Sequence, residues 1–219
     1  MNYYELRKQI SETFKKLVSE NLSSHFGGNI SVRLPDKPDN FLITPSGIRK
    51  DRLQPEDMVI IDINGNLVEG DKKPSIEQFL HLEIYKRRPG INAIIHAHTI
   101  YSSAFAVARV DIPPVIEEYT LMIGGPVKVA EFAPAGSQQL AKNIADALGD
   151  RKAVLVANHG VVTCGKNLDD ALTVLYSVEK SAMLYIFAND IGKPHVLPND
   201  ALQRVIAIYK KRYLSLIHI

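Results

Sequence analysis

The sequence predicts an α/β fold in which a mostly antiparallel central sheet carries helices on both faces. Apolar residues recur with helical spacing in some segments and alternate or run together in others, so helices and strands are mixed along the chain. Turns at Asn64-Gly65 and His159-Gly160 each join two short apolar segments, as in β-hairpins. Because parallel neighbours need a long crossover, these hairpins argue against an all-parallel doubly wound sheet.

The helices are predicted from amphipathic spacing and from residues typical of helix ends. The first helix is indicated by an apolar stripe at Leu6, Ile10, Phe14 and Leu17. Residues 75–78, Ser-Ile-Glu-Gln, fit a capping box that opens the second. The later helices are predicted from their start and stop signals. They run from Ser75 to about Arg87, Thr99 to about Val107, Ser137 to Leu148, Asn167 to about Ala188, and Asp200 to about Arg212.

The strands are predicted from short apolar or alternating segments bounded by turn residues. They are expected at Ile30–Leu34, Phe41–Ile43, Met58–Ile63, Asn66–Val68, Asn92–Ile95, Val127–Val129, Ala153–Val156 and Val161–Cys164. Strands and helices follow one another without a flexible linker or an internal repeat. We therefore predict a single domain over residues 1–219, with a core at 5–190, a C-terminal helix at 200–212 and a short final tail or artefact.

The composition is typical of a globular protein, with 46% hydrophobic and 23% charged residues among 219. A net charge of +2 gives no argument for nucleic-acid binding. The single cysteine, Cys164, excludes an internal disulfide. The N-terminus lacks a signal-peptide pattern, and no apolar run was expected to reach the roughly 20 residues that span a bilayer. We expect a cytoplasmic protein without a membrane partner.

Three histidines form the strongest functional pattern. His96 and His98 end an apolar run, and residues two apart in a strand face the same side. His159 follows a second apolar run, so a third imidazole can reach the same point. Because three neutral imidazoles with an open fourth position are typical of catalytic zinc sites, the pattern predicts a divalent metal, the alternative being buried core histidines. The other histidines are assigned to structural or surface positions: His25, His81, His195 and His218.

Glu77 stands at the predicted start of a helix, where two interpretations are open. A glutamate in the first turn suits the positive end of the helix dipole. A carboxylate beside the metal could instead ligate it at rest and act as a base once substrate displaces it. Small turns nearby in the sequence could hold an anion through backbone N–H groups and hydroxyls. Their residues are Gly28, Asn29, Ser46, Gly47 and Ser75.

Five short motifs follow one another between residues 5 and 190. They are Gly27-Gly28-Asn29-Ile30-Ser31, Thr44-Pro45-Ser46-Gly47, Pro74-Ser75-Ile76-Glu77, His96-Ala97-His98 and Asn158-His159-Gly160. In this order they resemble the class II aldolase/adducin family, and most closely its L-fuculose-1-phosphate aldolase type. The resemblance implies a three-layer α/β/α domain. It also implies a zinc-dependent aldolase that cleaves a ketose 1-phosphate to dihydroxyacetone phosphate and an aldehyde.

The resemblance assigns roles to individual residues. It implies zinc ligands at His96, His98 and His159, and a catalytic acid/base at Glu77 that also contacts the resting metal. It implies homotetramers with active sites between subunits, in which Tyr213 completes the site of a neighbour. The positions that it assigns to the substrate phosphate are Gly28, Asn29, Ser46, Gly47 and Ser75.

Two positions depart from the fuculose-phosphate pattern. Ile76 stands where that pattern has a second serine. Glu117 or Glu118 stands close to where it has an acidic tyrosine, with Tyr119 adjacent, and a glutamate there suits another acid/base step. Glu117 is therefore a further catalytic candidate, and the substrate stays open.

Other activities on the same zinc site are alternatives. A sugar-phosphate 4-epimerase is disfavoured because the ribulose-phosphate 4-epimerases of the family that this chain resembles have aspartate at the position of Glu77. A methylthioribulose-1-phosphate dehydratase would use the glutamate near Glu117, and a phosphotetronate decarboxylase would keep the Ser-x-Glu motif. A non-catalytic adducin-like module ranks last because all three histidines and Glu77 are present.

Overall fold

Eight strands form one sheet in a computed structural model that describes residues 3–214. The strand order is β4-β3-β2-β1-β5-β8-β7-β6, and all neighbours are antiparallel except β6 and β7. The predicted fold class, with its mostly antiparallel sheet, is confirmed. The strands are β1 Asn29–Arg33, β2 Asn40–Ile43, β3 Val59–Asp62, β4 Leu67–Glu69, β5 Ala93–Ala97, β6 Lys128–Ala130, β7 Ala153–Val156 and β8 Gly160–Gly165.

Helices cover both faces of the sheet. Alternate residues of β5 point to opposite faces, so Ile95 packs with α1, α3 and α6, whereas Ile94 packs with α2 and α5. β7 is buried along its whole length, which explains its unbroken apolar run. The helices are α1 Tyr4–Ser19, α2 Gln78–Arg87, α3 Ile100–Ala108, α4 Glu117–Ile123, α5 Gln138–Leu148, α6 Leu168–Ile191 and α7 Asn199–Tyr209.

The start of α2 differs from the predicted capping box. The helix begins at Gln78, and the hydroxyl of Ser75 accepts only the Glu77 N–H, at 3.3 Å. Ser75 belongs instead to an extended segment, because its N–H donates to the Thr44 carbonyl and the preceding proline bridges to Pro45. This long-range pairing holds Ser75 outside the helix.

One helix was not predicted, and the boundaries of another differ from the prediction. Helix α4 was not predicted, because seven residues are too few to show a helical period. Helix α7 is capped by Pro198 rather than Asp200, whose carboxylate lies 3.7 Å from Arg204 one turn later. Its end continues into a π-helical turn over Lys210–Leu214, and the predicted tail at 215–219 lies outside the described residues.

Helix α6 corrects the expectation that no segment is long and apolar enough to span a membrane. Its 24 residues pass that test by length and composition. Half of its most apolar stretch is buried inside the fold, and core helices of soluble proteins pass the same test. Among residues 3–214, α6 is the one helix that does so, and it is weak evidence for a span.

Candidate metal centre and active site

The sheet brings the three predicted histidines together. His96 lies in β5 between β1 and β8, opposite Asn29 on one side and Val162 on the other. His98 follows β5, and His159 lies in the turn between β7 and β8. The Nε2 atom of His96 is 3.1 Å from that of His98 and 3.4 Å from that of His159. The candidate ligand atoms all lie within 4.8 Å of one another.

The environment of His96 and His98 holds their imidazoles neutral. The Nδ1–H of His96 donates to the Val161 carbonyl at 3.0 Å, so the lone pair of Nε2 faces the other two rings. Burial lowers the pKa of His96 to about 3 and that of His98 to about 4, with the neighbouring imidazoles as a smaller cause. Neutral imidazoles are the form that binds metals.

Glu77 completes the cluster from the N-terminus of α2. Its Oε2 lies 3.5 Å from Nε2 of His96, and its Oε1 lies 3.4 Å from Nε2 of His159. Oε1 is buried and has no hydrogen-bond partner. Converging lone pairs and an unpartnered buried carboxylate oxygen are costly unless a cation lies between them. The residues therefore fit a divalent metal, with His98 and His159 partly exposed on the open side.

The glycine turn before β1 supports the same site. Gly28 has φ +79°, and a Cβ there would lie 2.6 Å from the His96 carbonyl, so only glycine fits. Asn29, which follows, directs its side chain to the carboxylate: Nδ2 donates to Oε2 of Glu77 at 2.8 Å. Asn29 thus contacts the proposed acid/base, and its assignment to the phosphate stays a prediction.

A second turn lies beside Glu77. The Ser46 N–H donates to the Lys73 carbonyl at 3.0 Å, and this pairing brings Ser46 and Gly47 next to the segment that contains Ser75. Gly47 has φ +73°, and a Cβ built there would have no atom within 4 Å, so there is room for a ligand beside the turn. The structure thus groups three of the predicted phosphate residues at the start of α2.

The whole chain is similar to known aldolases. Residues 8–186 match the model of the class II aldolase and adducin N-terminal domain family. The chain belongs to this family. It is 36% identical to 5-deoxy-D-ribulose 1-phosphate aldolase of Bacillus thuringiensis serovar kurstaki over 91% of this chain and 92% of the relative. It is 34% identical to L-fuculose phosphate aldolase of Escherichia coli K12 over 96% of each chain.

The solved structures agree with this family membership. The structure of an L-fuculose 1-phosphate aldolase matches with a TM-score of 0.89 and 39% identity, over 94% of this chain and 96% of the other. These likenesses confirm the resemblance drawn from the five motifs, and the chain is a class II aldolase. Class II aldolases use a divalent metal, and the histidine cluster provides a group of residues that could bind one.

Two buried residues at this aldolase site were not singled out from the sequence. His81 was assigned to a structural or surface position, but its ring contacts Asn29 inside the fold. Glu179 of α6 accepts the N–H groups of Tyr101 and Ser102, at 2.8 and 2.9 Å, and so anchors the helix that follows His98. A charged residue on the otherwise apolar face of a helix is the one sequence signal that could have indicated Glu179.

Lys50 was also missed. It is 3% exposed, and its Nζ donates to the Pro45 carbonyl at 2.7 Å, behind the turn that contains Ser46 and Gly47. Burial lowers its pKa to about 8, with Glu77 acting in the opposite direction. No carboxylate of residues 3–214 lies within ion-pair distance of Lys50, so this aldolase buries an ammonium ion beside a turn suited to anions.

Glu117 and Tyr213 are not brought to the metal centre of their own chain. Glu117 is exposed on the first turn of α4. Tyr213 lies over Nζ of Lys152 at 3.5 Å, and its hydroxyl donates to Sδ of Met122 at 3.8 Å. Lys152 precedes β7 and His159 follows it, so Tyr213 lies at the opposite end of that strand. Both catalytic assignments stay predictions that require another subunit.

Proposed function

We propose that this protein is a zinc-dependent aldolase that cleaves a ketose 1-phosphate, such as L-fuculose 1-phosphate, to dihydroxyacetone phosphate and an aldehyde. The observation that carries the proposal is the cluster of three convergent imidazoles beside a buried carboxylate with one unpartnered oxygen. The relatives are named as aldolases of 5-deoxy-D-ribulose 1-phosphate and L-fuculose phosphate, and these activities support the substrate class.

The ligand set proposed for zinc is His96, His98 and His159, with Glu77 in contact at rest. Zinc held by three neutral ligands keeps its full charge and would supply Lewis-acid stabilisation to the substrate oxygens. Another divalent metal would fit the same nitrogen atoms less specifically. His96 and Glu77 are both buried, and a substrate bound against them would be shielded from water on that side.

The chemistry assigned to the side chains is proton transfer. Cleavage breaks the C3–C4 bond, the electron pair stays on C3 as an enediolate, and the C4 hydroxyl loses its proton to form the aldehyde. Glu77 delivers a proton to C3 and thereby releases dihydroxyacetone phosphate. We assign the C4 hydroxyl proton to Glu117 of the partner subunit, and exchange with solvent then resets both carboxyl groups.

The phosphate is assigned to the turns at Gly28-Asn29 and Ser46-Gly47 and to Ser75. Gly28 and Gly47 would offer backbone N–H groups, and Ser46 and Ser75 would offer hydroxyls, near the start of α2, where the helix dipole favours an anion. Binding the phosphate away from the bond that breaks would hold C3 in place against Glu77.

We further propose a cytoplasmic homotetramer whose active sites lie between subunits, completed by Tyr213 of the partner subunit. Exposed apolar side chains lie next to site residues in the sequence, and a neighbouring subunit would cover them. They are Phe26, Ile76 and Ile100. The one cysteine, Cys164, is buried and unpaired, as is usual in a reducing compartment.

Metal analysis of the purified protein, coupled to an assay for dihydroxyacetone phosphate, tests this function. We expect about one zinc per chain and product release from L-fuculose 1-phosphate or 5-deoxy-D-ribulose 1-phosphate. Zinc without release from any ketose 1-phosphate would overturn the aldolase and favour the dehydratase, epimerase or decarboxylase. No metal after reconstitution would overturn the whole site assignment.

Lys50 provides a sharper test of the phosphate assignment. Lys50→Met keeps the stem that packs over Phe14 and removes the charge. We expect KM for the ketose phosphate to rise about tenfold with kcat unchanged, because a cation behind the turn acts on bound phosphate in every state. Since the ammonium loses its charge above a pKa of about 8, wild-type KM should also rise there, and that rise should vanish in the variant.

The matched control is Lys86→Met on the exposed end of α2, which should change neither constant. Steady-state kinetics and inhibition by inorganic phosphate measure the effect. An unchanged KM in Lys50→Met, with phosphate inhibition also unchanged, would contradict the role of Lys50. Loss of a buried unpaired charge should leave thermal stability equal or higher, so misfolding is not expected to confuse the result.

A further inference from the structure

A chain of buried hydrogen bonds runs from Glu77 into the fold. Oε2 of Glu77 accepts from Nδ2 of Asn29 at 2.8 Å, and Oδ1 of Asn29 contacts Nε2 of His81. Nδ1 of His81 lies 2.7 Å from the Ser31 hydroxyl, which lies 2.9 Å from the hydroxyl of Tyr85. All five side chains are buried. We call these residues the Glu77–Tyr85 chain.

The negative end of the Glu77–Tyr85 chain decides which atom donates in each bond. The Glu77 carboxylate only accepts, so Asn29 must present its NH₂ group to it and its carbonyl oxygen to His81. That oxygen needs a donor, so His81 carries its proton on Nε2. Nδ1 of His81 then accepts from the Ser31 hydroxyl. The Tyr85 hydroxyl lies beside that hydroxyl and donates to the Ser31 backbone carbonyl at 3.1 Å. The donors of Ser31, His81 and Asn29 therefore all point toward Glu77.

The alternative arrangement is penalised at the carboxylate. If His81 carried its proton on Nδ1, its Nε2 lone pair would face Oδ1 of Asn29. A rotated amide would relieve that repulsion but would direct Oδ1 against Oε2 of Glu77 in a buried site, leaving two acceptors in contact. Which ring nitrogen of His81 carries the proton thus determines the orientation of the Asn29 amide.

The far end of the chain is rigid. His81 and Tyr85 are one turn apart on α2, and Ser31 lies on β1, which pairs with the histidine strand β5. The Tyr85 ring stacks on Phe41 at 4.3 Å between ring centroids. Burial lowers the pKa of His81 to about 3, with His96 as the smaller cause. The ring is therefore neutral at neutral pH and carries one proton, on either Nδ1 or Nε2.

We propose that His81 is a positioning residue that acts through Asn29 to hold Oε2 of Glu77 and leave Oε1 free for proton transfer to substrate carbon. This inference rests on the proposed function. Oε1 is the atom that is buried without a hydrogen-bond partner and lies 3.4 Å from His159. A held Oε2 keeps the carboxylate in one orientation whether or not its other oxygen contacts the metal.

Two substitutions of His81 by an amide side chain test whether the hydrogen-bond donor at Nε2, rather than the polarity or size of the side chain, matters. The amide nitrogen in His81→Gln can occupy the position of the ring Nε2 and donate to Asn29. The shorter amide in His81→Asn reaches only the position of Nδ1. We expect His81→Asn to lower kcat about a hundredfold with KM within about twofold of wild type. We expect His81→Gln to stay within about fivefold of wild type in kcat.

Zinc content and thermal stability are measured on the same samples. Both variants should retain zinc, since His81 contacts no metal ligand among the three histidines. Crystal structures should show the Asn29 amide and the Glu77 carboxylate turned from their wild-type positions in His81→Asn and unchanged in His81→Gln. If both variants lose kcat equally and in proportion to a loss of stability, the role of His81 is purely structural and the inference is overturned. An unchanged kcat in His81→Asn would also overturn it.

Failure of the proposed function gives a different result. Wild-type protein that releases no dihydroxyacetone phosphate would overturn the proposed aldolase activity. The inference about His81 would then be tested by the crystal structures alone, and a Glu77 carboxylate that keeps its wild-type position in His81→Asn would overturn it. If His81→Asn does not fold, Ser31→Ala removes the donor to Nδ1 and leaves the ring in place. That variant should lose about five- to tenfold in kcat with KM retained, and no loss would overturn the proposal.

Discussion

Replacing Glu77 with glutamine is expected to lower kcat about a thousandfold, within the range usual for loss of a general acid or base. The amide has nearly the same shape and can still occupy the buried end of the site, but it cannot carry a proton to substrate carbon. Zinc should remain bound because the three imidazoles converge without the carboxylate. Parallel measurement of zinc content and dihydroxyacetone phosphate release separates these two effects.

A matched control lies on the same helix. Glu83 is on the outer face of α2, where it pairs with Arg87 at 2.7 Å, so Glu83→Gln should leave kcat, KM and zinc content unchanged. Unchanged turnover in Glu77→Gln would refute the acid/base assignment. Loss of zinc together with turnover would instead show that the carboxylate is needed to bind the metal, and would contradict the expectation that the three imidazoles are sufficient to hold it.

Substitution of the histidines should remove metal and activity together. We expect His96→Ala to lower zinc content from about one per chain to near zero. The Nε2 atom of His96 lies 3.1 Å from that of His98 and 3.4 Å from that of His159, so its removal takes away the central imidazole and leaves the other ligands around a cavity. Activity should fall in the same proportion, and added zinc should no longer raise the melting temperature. Metal analysis, kinetics and thermal unfolding with and without zinc measure the three effects.

His96 is fully buried, so its removal also leaves a cavity that lowers stability by itself. His159→Ala avoids this difficulty because the His159 side chain is 22% exposed. The control is His25→Ala, an exposed histidine outside the cluster that should retain zinc and turnover. An active, zinc-replete His159→Ala protein would exclude His159 as a ligand.

The two-residue period of a strand explains why the metal cluster was predictable. Ile94 and His96 alternate with Ala93, Ile95 and Ala97 along β5, so His96 and the residue two further on emerge on one side. The third histidine could be added because a hairpin turn was visible at His159-Gly160. These are local patterns, and local patterns can be read from neighbouring residues.

The residues that were missed depend on contacts between distant parts of the chain. His81 acquires a role because α2 packs against the sheet and brings it to Ser31, 50 residues earlier. Lys50 becomes a buried cation because α1 covers it with Phe14. Glu179 caps α3 from 77 and 78 residues away. A histidine, lysine or glutamate in isolation is most often solvated, so nothing in the local sequence distinguished His81 or Lys50, and Glu179 was indicated only by its place on an apolar helix face.

The sequence by itself determined the fold class, most helix and strand positions, the histidine triad and the family, because periodicity, turn chemistry and motif order are local properties. Only the tertiary structure decided that β1 lies between β2 and β5, which places Asn29 opposite His96. It also decided that Ser75 pairs with Thr44 beside the Pro45–Pro74 bridge rather than capping a helix, and that Asn29 holds Glu77. These outcomes depend on which buried polar atoms find partners, and those partners are brought together only when the sheet and its two helical layers pack.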